Sequence, residues 1–316
     1  MINAFFPLRL VFFSFGIVPR AVLVLVLSTV VAVSASFADA LQFEVKVIDE
    51  LVCTYPDQFP EHVAALARVD VPRGSLGAVH LVVNGHDPAL PLVVRSRLSS
   101  GRMVRLFHLR AVPVEENTGF SGRTTQWDSA PNPHIIRTAP FEVFEVLRPV
   151  AGSVLQPDSG GVNEVIRVEF DVPAGVEIGP DFLELQVSQA DGHHQLRIPI
   201  HIHAAVVPPP GRDTLCFTNW FGPVRMTRWY GLEPWSEAHW VLLEQYAALM
   251  HRTRQNVIEV PLQAFLTRSE KPDRWKLDAE RFDRYVEVFS SGGGGGWKAV
   301  ILRVDQREIG VHLICN

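Results

Sequence analysis

The chain has 316 residues, of which 47% are hydrophobic and 20% are charged, and it carries a formal net charge of −5. This length and hydrophobic content suit two domains, each with a packed core. The negative net charge leaves no basic footprint, so the composition excludes nucleic acid as an expected partner.

The N-terminal segment, residues 1–40, has the pattern of a signal peptide. Two arginines precede an apolar run over residues 21–33, and Ala38-Asp39-Ala40 fits a cleavage site of the A-x-A kind. We therefore expect export to the periplasm or the extracellular space, with cleavage near Ala40 and no lasting membrane association. The apolar stretch is long for a signal peptide, which leaves an uncleaved membrane anchor or a start codon placed too early as alternatives.

Residues 41–207 alternate between apolar and polar side chains with a period of two, and turns rich in Gly, Pro, Asn and Asp separate the segments. The strongest segments are 43–47, 79–83, 104–106, 165–170 and 183–187. Short strands at this spacing predict an antiparallel β-sandwich. The stiff run Pro208-Pro209-Pro210-Gly211 then predicts a domain boundary.

Polar residues of this β-rich region offer few candidates for chemistry. His201-x-His203 places two imidazoles on one face of a strand, and His193-His194 lies across the same hairpin. A zinc site needs three or four ligands, so a surface histidine cluster is the favoured interpretation, and no metal or cofactor is expected. The pairs Asp49-Glu50 and Glu115-Glu116 are interpreted as solvated carboxylates.

The cysteine count is odd, with Cys53, Cys216 and Cys315 in the chain. An exported chain with this count holds at most one internal bridge. A disulfide between Cys53 and Cys216 is an alternative, because disulfides form in the oxidising compartments to which exported proteins are sent. Unpaired, buried cysteines are the favoured interpretation.

Beyond the boundary, strands alternate with helices. The predicted elements are a strand (Leu215–Trp220), a helix (Ser236–Arg254), a strand (Val257–Pro261) and a helix (Asp278–Phe289). This alternation implies a parallel sheet. A complete barrel of eight such units needs on the order of 200 residues or more. Residues 208–291 therefore predict an incomplete (β/α)8 TIM-barrel domain that follows the N-terminal β-sandwich domain.

Both helices have a start signal and an amphipathic pattern. Ser236 is the predicted N-cap of the first helix, and Asp278 is the predicted cap of the second. The apolar positions of the first helix are Trp240, Leu243, Ala247 and Met250, widened by Leu242, Tyr246 and Leu249. Those of the second helix are Phe282, Tyr285, Val286 and Phe289. Each stripe predicts one face buried against a sheet.

The C-terminal tail, residues 292–316, begins with the glycine run Gly292–Gly296. Such a run implies a G-rich stretch of DNA, in which a frameshift arises easily, and we expect the residues after it to be out of frame. The alternative is a flexible linker followed by a genuine strand, Ala299–Val304.

Three short motifs carry a resemblance to a known family: Asn219-Trp220, Tyr230–Ser236 (YGLEPWS) and Arg254-Gln255-Asn256. Residues 165–289, which include these motifs and the β-rich sequence before them, resemble glycoside hydrolase family 123 and its uncharacterised bacterial relatives. The resemblance implies an N-terminal β-sandwich and a (β/α)8 barrel that removes terminal N-acetyl-β-galactosamine. It also implies a substrate-assisted retaining mechanism, in which an adjacent Asp-Glu pair works with the acetamido group of the substrate.

No segment of the barrel region matches that Asp-Glu pair, so no catalytic residue is assigned and we expect a fragment of an exported glycoside hydrolase without activity. The alternative function is a β-sandwich that binds carbohydrate or supports assembly without catalysis.

Barrel enzymes place their substrates at the C-terminal ends of the strands. The residues expected there to bind carbohydrate, the predicted partner, are Asn219, Trp220, Trp229, Tyr230, Trp235, Glu259 and Gln263. Aromatic rings suit sugars because the apolar face of a pyranose stacks on them. The alternative role of these aromatic residues is to pack the loop onto the barrel. Arg254 and Asn256 fall at the opposite end of the strand and are predicted to hold a turn.

Overall fold

The computed structural model describes residues 43–117, 135–158, 161–210, 214–218, 222–268, 275–291, 299–303 and 311–313. The chain divides into two compact units, and the second takes all of the chain from Ala204 onward. The predicted signal peptide lies outside the described residues. Within the described ranges, no helix has both the length and the hydrophobicity to span a bilayer.

The described part of the chain before Pro208 is built from strands. They are β1 (Glu44–Asp49), β2 (Val69–Arg73), β3 (Ser75–Asn84), β4 (Leu92–Leu98), β5 (Val104–Val114), β6 (Phe141–Pro149), β7 (Val154–Leu155), β8 (Asn163–Val172), β9 (Gly179–Gln189) and β10 (Gly192–Val206). They form one sheet in the order β1-β3-β8-β5-β6 and another in the order β2-β10-β9-β4-β7. The pairs β1/β3, β5/β8, β4/β9 and β9/β10 are antiparallel. The predicted β-rich region is confirmed.

The two sheets differ in how they bury their faces. In β9 the apolar residues Leu183, Leu185 and Val187 are buried, while the residues between them are partly exposed. This alternation leaves the second sheet with one face toward solvent. In β3, seven consecutive residues are buried, because side chains pack on both faces. One of these faces carries a cluster of Ile48, Val82, Leu109, Phe144 and Val165, with Val52, Phe59 and Val63 packed against it.

A buried histidine in β3 makes the stability of the first unit depend on pH. Burial, and secondarily the positive charge of Arg167, lowers the pKa of His80 from 6.5 to about 4, against the opposing effect of Asp49. The unfolded chain therefore binds the proton more readily than the folded protein. The contribution of the neutral His80 ring to the free energy of unfolding is complete above pH 6.5 and is lost as the pH falls toward 4. We expect the free energy of unfolding to fall by roughly 3 kcal/mol from this group across that range.

Urea denaturation at pH 7 and at about pH 4.5 checks this expectation, with His80→Leu as the test variant and His193→Leu, an exposed position on β10, as the matched control. His80→Leu should flatten the pH dependence and His193→Leu should leave it unchanged. An unaltered slope in His80→Leu would show that this imidazole is not the titrating group.

The second unit combines helices with short strands. They are α1 (Pro223–Tyr230), α2 (Glu237–Arg252), β11 (Val257–Pro261), a 3-10 helix (Leu262–Phe265), β12 (Leu266–Arg268), β13 (Trp275–Leu277), α3 (Ala279–Ser291), β14 (Ala299–Arg303) and β15 (Val311–Leu313). β11 pairs parallel with β14, with Val257 opposite Ala299. β14 also pairs antiparallel with β15, and β12 with β13. The β11-α3-β14 step is the parallel alternation that the sequence predicts.

The predicted helix starts and buried stripes are largely confirmed. The Ser236 hydroxyl accepts a hydrogen bond from the His239 amide, and an Asp278 oxygen accepts one from the Arg281 amide at 3.1 Å. The predicted stripe of Trp240, Leu243, Ala247 and Met250 is buried. The helix predicted to end at about Arg254 ends at Arg252. One detail was wrong: Leu249 is 52% exposed, so the buried face is narrower than predicted.

The predicted strand Leu215–Trp220 is not a strand in its described part, residues 214–218. Two backbone hydrogen bonds, from the Asn256 and Val257 amides to Phe217 O, join this segment to the start of β11, and the buried side chain of Asn256 adds three more. Its amide oxygen accepts from the Phe217 amide at 2.8 Å, and its Nδ2 donates to Leu215 O and Thr214 Oγ1, each at 3.0 Å. The predicted structural role of Asn256 is confirmed.

Arg254 also holds the turn, since its guanidinium donates to Pro208 O and its backbone has a φ of 69°. Cys53 and Cys216 are free thiols, so the prediction of unpaired cysteines is confirmed for these two. The prediction that they are buried was wrong, because both are exposed. Ala299–Arg303 forms the strand that the alternative for the tail predicts.

Candidate functional site

The C-terminal end of β11 leads into an aromatic cluster. The chain turns after Pro261 into the 3-10 helix, which ends at the fully buried Phe265. The Phe265 ring lies 5.1 Å from Trp235 and 5.3 Å from Tyr285, measured between ring centroids. Because Tyr285 belongs to α3, the cluster joins the loop before α2 to the helix that follows β11.

The Trp235 backbone is held in a conformation that non-glycine residues rarely adopt. Its φ is 66°, which lies in the left-handed region. His239, one turn into α2, stabilises this geometry: Nδ1 accepts from the Trp235 amide at 2.9 Å. Since the Pro223 carbonyl can only accept, the opposite ring nitrogen, Nε2, donates to it at 2.9 Å. Burial lowers the pKa of His239, which favours the neutral ring that can make both bonds.

Trp229 and Tyr230, at the end of α1, are much more open to solvent. Trp229 is 88% exposed. The hydroxyl oxygens of Tyr230 and Tyr246 lie 3.0 Å apart. This hydrogen bond, together with burial, raises the pKa of Tyr246 to about 12. The Tyr246 phenol is therefore protonated at neutral pH.

The predicted carbohydrate-binding residues fall into separate surroundings. Trp235 is half-buried in the aromatic cluster, with the Arg281 guanidinium carbon 5.3 Å from the ring centroid, so the alternative role of packing the loop describes its contacts. Within the described ranges, no ring contact joins it to Trp229 or Tyr230. Gln263 is exposed on the 3-10 helix after β11. The structure does not describe the predicted residues Asn219 and Trp220, nor the side chain of Glu259.

Carboxylates near this end of the second unit have structural partners. Glu237 forms a two-pronged ion pair with Arg284, with both N–O distances at 2.7 Å, which links α2 to α3. Asp278 caps α3 and contacts Arg281 at 3.2 Å. These groups orient helices and do not converge on the exposed aromatic residues.

In the first unit, sequence reasoning missed a buried carboxylate with two histidines. Glu164 and His108 are buried, and His108 Nε2 lies 2.5 Å from Glu164 Oε2. The other carboxylate oxygen accepts from the Asp158 amide at 2.6 Å and lies 3.7 Å from His86 Nε2. Glu164 also lines an open cleft of about 530 Å³. Glu164 stands between Asn163 and Val165 at the start of β8, a setting that gives no sequence signal for such burial.

A second missed feature is a polar cleft of about 720 Å³ on the outward face of the second sheet. Its charged and amide lining consists of Arg95, Arg97, Glu184, Gln186, Gln195 and Arg197. The segments R-S-R, E-L-Q and Q-L-R, each with the period of a strand, are the signal that reveals this face.

The predicted histidine cluster lies on β10. The His201 and His203 rings are 4.5 Å apart, as expected for alternate residues of one strand, and His203 Nε2 lies 2.9 Å from Asp70 Oδ1. His194 bonds instead to Phe43 O. In the described part of the chain, no group of three or more His, Cys, Asp or Glu residues has a geometry that could hold a metal ion.

The chain resembles the family 123 glycoside hydrolases. Residues 220–299 match the sequence model of the family described as "Glycoside hydrolase 123, catalytic domain". The structure is similar to that of a family 123 glycoside hydrolase from Clostridium perfringens, studied for the hydrolysis of glycolipid glycans, with a TM-score of 0.60 and 11% sequence identity. The similarity covers 80% of this chain and 46% of that one. The chain thus spans under half the length of that relative, and at this identity the likeness shows the fold alone.

Other structures match more weakly. The CooA pilin subunit of enterotoxigenic Escherichia coli has a TM-score of 0.25 and 13% identity, covering 52% of this chain and 99% of the pilin. A β-glucosidase from Listeria innocua has a TM-score of 0.21 and 8% identity, covering 52% of this chain and 16% of that enzyme. Scores this low carry no inference. Among curated proteins, no sequence matches the chain significantly.

Proposed function

We propose that the chain is part of an exported glycoside hydrolase of the family 123 kind, with a β-sandwich over residues 41–207 and the first units of a (β/α)8 barrel over residues 208–291. The match over residues 220–299 carries this proposal. Two further observations support it: the parallel β11-α3-β14 step, and the similarity in fold to the Clostridium perfringens enzyme over 80% of the chain.

The parent reaction would be hydrolysis of a β-linked N-acetylhexosamine, namely N-acetylgalactosamine, by a substrate-assisted retaining mechanism. In such a mechanism the acetamido oxygen of the substrate replaces the protein nucleophile, and one carboxyl group acts as acid and base. The exposed Trp229, Tyr230 and Gln263 are proposed to contact the sugar, together with Asn219, Trp220 and Glu259.

The 316 residues by themselves are expected not to catalyse this reaction, because the only adjacent Asp-Glu pair in the sequence, Asp49-Glu50, lies in β1 and its turn. Glu50 forms an ion pair with Arg167, a structural role. Purified protein incubated with a chromogenic aryl N-acetyl-β-galactosaminide should release no more aryl alcohol than buffer does. An active family 123 enzyme in parallel gives the positive control, and release well above buffer would contradict the proposed inactivity.

Sequencing the coding DNA through the Gly292–Gly296 run and downstream tests the parent activity. A one- or two-base change that restores a frame with further β/α units and an Asp-Glu pair would support the hydrolase. A confirmed reading frame without such units would count against the hydrolase proposal and leave the first unit as the part with a proposed function.

A second function is proposed for that first unit: binding of a glycan without catalysis. It is supported by the two open clefts of about 720 Å³ and 530 Å³ on the β-rich unit, each of a size that accommodates small-molecule ligands. The catalytic proposal does not use either cleft.

A further inference from the structure

The larger cleft lies on the outward face of β4, β9 and β10, and strand register places its side chains in two rows. Arg95 pairs with Gln186, which pairs with Gln195. Two residues further along, Arg97 pairs with Glu184, which pairs with Arg197. Neighbouring strands are about 4.8 Å apart, and residues two apart along a strand are separated by about 7 Å. The three arginines and two amides therefore occupy one compact patch.

The patch holds three arginines and a single carboxylate, Glu184, which only two of the arginines contact. Arg97 Nε donates to Glu184 Oε2 at 2.6 Å, and Arg197 Nε lies 3.9 Å from Glu184 Oε1. Among the residues that the structure describes, Arg95 has no salt-bridge partner. The patch is therefore positively charged on a chain whose net charge is −5.

The patch also has a flat surface and neutral hydrogen-bonding groups. The Arg197 guanidinium lies 3.7 Å from the centroid of the Phe182 ring, a contact that fixes the long side chain in one orientation. Gln186 and Gln195 each offer an amide donor and an acceptor. Hydroxyl groups are the natural partners of such amides, and an anionic group is the natural partner of the unpaired Arg95.

We propose that this face binds a glycan that carries acidic groups, either carboxylate or sulfate. Arg95 binds the acidic group, Gln186 and Gln195 bind sugar hydroxyls, and a sugar ring lies on the guanidinium plane of Arg197. A cleft of about 720 Å³ is large enough for such a segment. This inference rests on the second proposed function, that the first unit binds glycans.

Affinity electrophoresis of the full chain tests the proposal, with gels that contain polygalacturonate (carboxylate), chondroitin sulfate (sulfate plus carboxylate), dextran sulfate (sulfate alone) or unmodified dextran. We expect retardation by at least one acidic polysaccharide and none by dextran. The double variant Arg95→Gln/Arg197→Gln should weaken that retardation about tenfold or more, since each charge-assisted contact contributes roughly 1.5 kcal/mol or more. Glu184→Gln should strengthen it, which a misfolded variant would not do.

The matched control is the double variant Arg225→Gln/Arg228→Gln, which removes the same two positive charges from exposed positions on α1. It should bind like the unmodified chain.

Retardation by polygalacturonate alone identifies carboxylate as the recognised group, and retardation by dextran sulfate identifies sulfate. Retardation by dextran that the arginine variants leave unchanged would overturn the acidic specificity and keep glycan binding. Equal losses in Arg95→Gln/Arg197→Gln and in Arg225→Gln/Arg228→Gln would show that retardation depends only on net charge, and would overturn the proposed site. No retardation by any polysaccharide would overturn both proposals.

Discussion

Replacing Phe265 with alanine is expected to destabilise the second unit by about 3 to 5 kcal/mol. The Phe265 side chain is fully buried and contacts the rings of Trp235, Tyr285 and Phe282, with centroid distances of 5.1, 5.3 and 5.6 Å. Its loss leaves a cavity between the loop before α2 and the helix after β11. Large aromatic side chains collapse poorly around such a cavity, so little of the lost packing is recovered.

Urea denaturation followed by tryptophan fluorescence measures this change, because all of the tryptophans except Trp127 lie after Ala204. Phe217→Ala is a matched control, since the Phe217 side chain is 42% exposed, and we expect it to cost less than about 1 kcal/mol. Similar midpoints for the two variants would contradict the assignment of Phe265 to the core of this unit.

Replacing Glu164 with alanine is expected to have a comparable effect on the first unit, a loss of about 3 to 5 kcal/mol. The carboxylate accepts from the Asp158 amide and lies 2.5 Å from His108 Nε2, and both Glu164 and His108 are buried. Removing it leaves a half-buried amide and a buried imidazole without their acceptor. The cost arises from these stranded partners more than from the pair itself.

Hydrogen exchange of β5 and β8 measures this loss directly, because these two strands carry His108 and Glu164. Glu164→Gln separates charge from hydrogen bonding: it keeps one acceptor oxygen, so we expect a smaller loss than with alanine. Glu145→Ala is the control at an exposed position on β6. Unchanged protection in Glu164→Ala would show that the buried carboxylate does not stabilise the unit.

The local elements of the second unit were predictable because their signals are local. Ser236 and Asp278 have the side chains that cap helices, and the apolar spacing after them gives the buried faces. β11 follows from its run of apolar residues. The strand predicted near Leu215 was wrong for its described part, where the side chain of Asn256, distant in sequence, makes more of the hydrogen bonds than the backbone of β11 does.

Long-range features of the first unit were not predictable in the same way. The period of two indicates strands and their faces, but it does not give the order β1-β3-β8-β5-β6. Nor does it reveal that Glu164 is buried, since a charged residue in a strand is ordinarily assigned to solvent. The role of Trp235 was ambiguous for a related reason: the loop sequence does not show that His239 holds its backbone in the left-handed region.

The exposed thiols give the molecule a chemical property of its own. Cys53 and Cys216 are accessible, and each belongs to a different compact unit. In a variant whose third cysteine, Cys315, is replaced by serine, these two thiols make the chain a bifunctional monomer: in an oxidising medium it can be joined to one neighbour through each sulfur. Air oxidation would then produce linear polymers rather than stopping at dimers, and replacing either cysteine by serine would shorten the products of this step growth.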